Sequence, residues 1–165
     1  MNKTFQQSMS IGKRGEAIAK EYLKNNGWNF IDVSNNKDFQ KKDIDFVVEK
    51  NEKSFTIDVK TDNFSTGNFF IETKKNEGKN SLGCIFSTEA NFWWYIFLPA
   101  KQLYIFRPSV MIEHMENNSF REVGHGTTVG SGGYTSKGQL VAIQSAPYDR
   151  CIDIETYIDN TNEGV

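Results

Sequence analysis

The chain has 165 residues and a mass of 18.9 kDa, enough for one domain that buries about two-thirds of its unfolded surface. Hydrophobic residues make up 38%, with thirteen Phe, six Tyr and three Trp, a composition that excludes a disordered chain. Nineteen Lys plus Arg face 21 Asp plus Glu, so the net charge of −2 excludes a histone-like, polybasic binder of nucleic acid.

Two cysteines, Cys84 and Cys151, make no disulfide framework, and with only two His a Cys/His zinc site is not expected. The longest apolar run, Phe92 to Leu98, is too short to span a bilayer, and Met1 to Ser10 lacks an apolar signal core. A cytoplasmic protein without membrane partners is expected.

In chain order, Ile11, Ile18, Ala19, Tyr22 and Leu23 share one face at 3.6 residues per turn. They predict a helix over 10–26, capped by Ser10 and stopped at Gly27. Trp28 to Val33 reads as a strand and Ser34 to Lys42 as a polar loop. Asp43 to Glu49 alternates, with Ile44, Phe46 and Val48 on one face and Asp43, Asp45 and Val47 on the other. A turn at Lys50 to Lys53 leads into Phe55 to Lys60, which places Phe55, Ile57 and Val59 opposite Thr56, Asp58 and Lys60. Asn68 to Thr73 is a strand carrying Glu72. Leu82 to Phe86, Phe92 to Leu98 and Leu103 to Phe106 read as strands, and Pro108 opens a helix to about Asn117. Residues 119–137 are rich in Gly, Ser and Thr and read as irregular. Gln139 to Gln144 reads as a strand, and 151–157 carries no clear pattern. With no repeat and no linker, residues 1–165 form a single mixed α/β domain.

The two alternating segments carry the chemistry. Paired as a hairpin, they bring the carboxylates of Asp43, Asp45 and Asp58 close together, beside the ammonium of Lys60. Carboxylates so placed repel unless a cation joins them. Mg²⁺ (or Mn²⁺) suits such a site, because it binds through one or two carboxylates with waters and substrate phosphate. Lys60 is placed to orient water or to stabilise developing charge.

This pattern resembles the PD-(D/E)XK, or restriction-endonuclease-like, nuclease superfamily. The matching residues are Asp45 and Asp58-Val59-Lys60, preceded by the helix segment Gly15-Glu16-Ala17-Ile18-Ala19-Lys20-Glu21-Tyr22-Leu23. The resemblance covers residues 10–62. It implies a central mixed β-sheet flanked by helices, and a Mg²⁺-dependent endonuclease acting on nucleic acid, DNA first. It further implies that Asp45, Asp58, Lys60 and Glu16 are catalytic. Asp43 and Glu72 join Asp45, Asp58 and Glu16 as metal-ligand candidates. The motif lacks its Pro and reads Lys42-Asp43-Ile44-Asp45, so Asp43 and Asp45 compete for one role. The family's second core helix is not evident after Lys60.

Lys13, Arg14, Lys41 and Lys42 are candidates for phosphate contact, against an ordinary solubilising role. Trp93, Trp94 and Tyr95 either stack bases or pack the core. Residues 1–60 hold 11 basic and 9 acidic residues, so the half with the candidate site is the more basic one. Weak binding that strengthens with metal is expected. Many relatives dimerise, so a homodimer enters as a family expectation. The alternative is a non-catalytic module that uses the same fold to bind nucleic acid or protein.

Overall fold

A computed structural model describes residues 3–79, 81–129 and 132–161. The strand β1 (Lys3–Thr4) leads directly into the long helix α1 (Phe5–Asn25). The helix starts one turn earlier than the periodicity indicates. Phe5 and Met9 in that first turn are largely exposed, so they add nothing to the apolar stripe. Its end follows the prediction. Gly27 takes φ 68°, and the Gly27 and Trp28 N–H groups return to the carbonyls of Lys24 and Leu23, the paired bonds of a glycine-terminated helix.

The strands β2 (Asn29–Asp32), β3 (Phe46–Lys50) and β4 (Lys53–Asp62) follow as an antiparallel run. A single helical turn, α2 (Lys37–Gln40), sits in the expected loop, capped by the Asn36 side chain. The β3–β4 connection is a two-residue turn in which Asn51 and Glu52 both have positive φ, 50° and 63°. Such turns match the twist of paired strands.

Next come β5 (Asn68–Asn76), β6 (Ser81–Leu82), α3 (Cys84–Ser87), β7 (Phe92–Phe97), β8 (Gln102–Phe106) and α4 (Pro108–Glu116). The chain continues through β9 (Arg121–Val129), β10 (Gly132–Ala142), β11 (Arg150–Asp153) and α5 (Glu155–Thr161). Residues 82–86, read as one strand, divide between β6 and α3. The segment 119–137, read as irregular, forms most of the β9–β10 hairpin. Its Gly, Ser and Thr residues carry no apolar alternation to mark a strand. Backbone pairing along Arg121–Val129 holds it instead.

The central sheet has the order β11-β8-β7-β4-β3-β2 and is mixed, with β4 and β7 parallel and the other pairs antiparallel. A second sheet runs β1-β9-β10-β5-β6. The crossover from β4 to β7 passes through β5, β6 and the one-turn α3, where a longer helix is usual. A side-chain clamp starts the parallel pair: Asn91 Oδ1 accepts the Thr56 N–H at 2.8 Å, and the Asn91 N–H returns to Thr56 Oγ at 3.0 Å.

The central sheet is buried on both faces. On one, Phe46, Val48, Ile57, Val59, Trp94 and Ile96 pack under α1 and α5. On the other, Trp93, Tyr95, Phe97, Tyr104 and Phe106 meet Phe69 and Ile71 of β5 and Met111 of α4. This explains why 92–97 is an unbroken apolar run. Among the described residues, no helix is long and apolar enough to cross a membrane.

Candidate functional site

The register fixes the candidate site. Phe46 of β3 pairs with Ile57 of β4, so the preceding residue, Asp45, lies across from Asp58. Two backbone bonds hold it there: the Asp45 N–H donates to the Ile57 carbonyl at 2.8 Å, and the Val33 N–H donates to the Asp45 carbonyl at 2.9 Å. The Asp45 side chain then does what a strand carbonyl would do. Its Oδ2 accepts the Val59 N–H at 2.8 Å. Asp45 thereby ends the β3 ladder and stays beside Asp58.

Asp58 is only 3% exposed. Its Oδ2 lies 2.8 Å from Lys60 Nζ. At that distance the two groups form a close, largely buried ion pair. Lys60 Nζ also sits 5.0 Å above the Trp93 ring, whose quadrupole favours a cation there. The parallel register pairs Asp58 with Trp93 and Lys60 with Tyr95, so β7 floors the site with aromatic rings.

Burial pushes the Asp58 carboxyl up to about 7, against the pull of Lys60 and with help from Asp45. Burial also pushes Asp45 up to about 6, assisted by Glu16 and Asp43 and opposed by the Val59 N–H and Lys60. For Lys60, burial acts downward, but Asp58 outweighs it and the ammonium titrates above its ordinary range. Lys60 therefore remains charged at neutral pH. Cys84 is pushed by burial to about 12, against the pull of Lys60, so it remains a thiol and brings no thiolate to the site.

Glu16 approaches from α1. Gly15 makes the approach possible: a Cβ there would fall 1.8 Å from Thr61 Oγ, so the helix backbone rests directly on β4. Glu16 is half-buried, and burial together with nearby Asp32 raises its pKa, opposed by Lys20, Lys13 and Ser34. Its charge also reaches Asp45.

The other two candidate carboxylates have contacts of their own, and the charge of Asp43 still reaches Asp45, Asp58 and Lys60. Asp43, at φ 53°, turns its Oδ2 to Lys75 Nζ at 3.3 Å and to Ser87 Oγ at 3.0 Å. Glu72 lines a cavity of about 180 Å³ with Lys60, Cys84 and Trp93. Among the described residues, no three His, Cys, Asp or Glu side chains form a ready-made metal cage. The donors nearest to one are Asp45 and Asp58, a pair of hard oxygen ligands. Magnesium is bound by one or two carboxylates with waters, so this pair fits it, and the scarcity of His and thiolate does not suit zinc.

Of the basic candidates, Lys13 is exposed. Arg14 is half-buried, and its Nε has no hydrogen-bond partner among the described residues. Lys41 lies 3.9 Å from Asp38, and Lys42 lies 3.2 Å from Glu89. Trp93, Trp94 and Tyr95 are all buried, at 1, 2 and 5% exposure, so none is available to stack a base. Core packing accounts for all three. The sequence reading missed Trp93 as the platform under Lys60. The apolar run of β7 carries no signal for it, because only the parallel register with β4 puts Trp93 beside Asp58.

No protein-family model and no curated protein matches the chain. Among solved structures, a bacterial homing endonuclease, I-Ssp6803I, is similar, with 16% identity and a TM-score of 0.49. The alignment covers 64% of this chain and 72% of that one.

Proposed function

We propose that the protein is a divalent-metal-dependent phosphodiesterase that cuts nucleic acid, DNA in the first place, within the PD-(D/E)XK superfamily that its motif resembles. One observation carries this reading: Asp45 and Asp58 stand side by side at the end of a strand ladder, with Lys60 at their edge.

In this reading Asp45 and Asp58 hold Mg²⁺ or Mn²⁺, and Glu16 adds negative charge on the α1 side. When bound, the ion supplies Lewis acidity and neutralises phosphate charge. Lys60 stays protonated, so it serves as a fixed positive charge and hydrogen-bond donor to a phosphate oxygen, not as a proton acceptor. Trp93 and Tyr95 exclude water from beneath the pair. Their burial keeps the local dielectric low, which strengthens each of these interactions.

The test is a panel of duplex, single-stranded and branched DNA and of RNA, each with Mg²⁺, Mn²⁺ or EDTA. Cleavage with metal and none in EDTA is expected, with loss of cleavage in Asp58→Asn and Lys60→Met. Cleavage retained by Asp58→Asn overturns the assignment.

A second reading rests on the Asp58–Lys60 contact itself. A carboxylate already neutralised by an ammonium at 2.8 Å needs no cation, which suits a non-catalytic binding module. Titration calorimetry separates the two. Absence of any heat with Mg²⁺ or Mn²⁺, and no change in the unfolding midpoint, favours the module.

A further inference from the structure

A second concave surface lies on the opposite face of the central sheet, at the end where β3 turns into β4. It is a groove of about 570 Å³. That size is ordinary for a small-ligand site. Its wall is a row of rings: Trp28 meets Phe55 edge-to-face at 5.5 Å, and Phe55 meets Phe92 at 5.5 Å. All three are half-buried, so they pack against the core and still present ring surface to the groove. Lys50 Nζ lies 4.2 Å over the Trp28 ring.

The rim is basic. Lys53, Arg107 and Arg150 line it with one acid, Asp149, which Arg107 engages at 3.4 Å. Lys53 and Arg150 have no acidic partner among the described residues. An aromatic wall beneath two uncommitted cations complements a flat ring joined to an anion. A base stacks on rings whatever its identity, and its phosphate meets the cations.

We infer that this groove binds an unpaired nucleotide of a nucleic-acid strand, its base against a ring of the Trp28, Phe55 and Phe92 row and the phosphates flanking it on the basic rim that Lys53 and Arg150 form. This rests on the nucleic-acid reading above but not on its chemistry. Groove and carboxylates occupy opposite faces of one sheet, so a strand held here is anchored away from the point of cleavage. An acidic peptide would use the cations but has little need of three rings in a row.

The experiment measures binding of a fluorescent oligothymidylate by anisotropy, in EDTA so that no cleavage occurs. The full chain is compared with Lys53→Glu/Arg150→Glu, whose substituted side chains are at the surface. A tenfold or greater loss of affinity is expected in the double variant, with an unchanged unfolding midpoint. An abasic strand of the same length should bind several-fold more weakly than oligothymidylate. Trp28→Phe, which keeps a ring against Phe55, should lose most of the tryptophan quenching caused by the strand. Equal binding by the wild type and the double variant overturns the inference. So does equal affinity for the abasic strand, or tighter binding of a phenylalanine-bearing acidic peptide. Metal-dependent cleavage with groove variants that bind normally sinks the groove alone. Groove-dependent binding without any cleavage sinks the hydrolytic reading alone.

Discussion

The Asp45 carboxylate accepts the Val59 N–H, and so grips the backbone at the residue between Asp58 and Lys60. One side chain thus both carries charge and closes the strand ladder. The two roles separate by mutation. Asp45→Asn keeps an acceptor oxygen for Val59 and should change stability little, while abolishing cleavage. Asp45→Ala leaves the N–H without its acceptor and should cost about 1–3 kcal/mol. Urea melts of both variants, beside cleavage assays, check this. Equal destabilisation by Asn and Ala contradicts the backbone role.

Protonation gives a second prediction. Asp45 and Asp58 titrate near about 6 and about 7, above the ordinary carboxylate range, chiefly because they are buried. A cation must displace those protons, so its affinity should rise with pH. The expected gain is about a hundredfold between about pH 5.5 and about pH 7.5, with proton release. Stability without metal should run the other way. Between the unfolded carboxylate value near 4 and about 7, the folded state holds more protons, so stability falls as pH rises. Calorimetry in buffers of different ionisation heat reads the first, and unfolding midpoints across this range read the second. A shallower fall in Asp58→Asn is the expected control, with the remaining slope coming from Asp45.

Gly15 supplies a third. Alanine is the better helix former by about 1 kcal/mol, so Gly15→Ala should stabilise a free helix. Here a Cβ meets Thr61 Oγ at 1.8 Å and Thr61 Cβ at 2.9 Å, so no rotation of Thr61 relieves it. Net destabilisation of about 1–3 kcal/mol is expected, with Glu16 displaced along with α1. The double variant Gly15→Ala/Thr61→Ala should recover part of the loss. Thermal unfolding of the three variants tests it.

The β3–β4 turn supplies a fourth. Glu52 holds a φ of 63°, a conformation that costs a non-glycine residue about 1 kcal/mol. Glu52→Gly completes the Asn-Gly pair that this turn type favours. It should raise the unfolding midpoint by about 2–4 °C for a domain of this size. Calorimetric scans measure it, and a lowered midpoint refutes the strain.

How far the residues announced this arrangement depends on the kind of signal each carries. Ile18, Ala19, Tyr22 and Leu23 recur at helical spacing, and all four are buried on the inner face of α1. The alternation from Asp43 to Lys60 gave the hairpin and the juxtaposition of Asp45 with Asp58. These are local patterns, written within one element or across one short turn. Asp43 obeyed the same alternation, but at φ 53° its carboxylate meets Lys75 while its charge still reaches Asp45 and Asp58, and alternation does not encode φ. The β9–β10 hairpin was illegible because Gly124, Gly126, Thr127 and Thr128 carry no apolar alternation. Trp93 under Lys60 was illegible for another reason, since it depends on two strands 35 residues apart lying parallel.

That parallel pairing also sets an order of events. The Thr56–Asn91 clamp spans 35 residues, and everything between must be made and looped back before β7 can lie along β4. Such long-range pairings form slowly, because the closure entropy is paid before the contacts repay it. The β3–β4 hairpin closes far sooner. In a growing chain Asp45, Asp58 and Lys60 therefore meet early, in water, as an ordinary exposed charge cluster. They acquire their aromatic floor only when Trp93 and Tyr95 arrive, so burial, and with it the shifted titration of both carboxylates, comes after the hairpin and not with it.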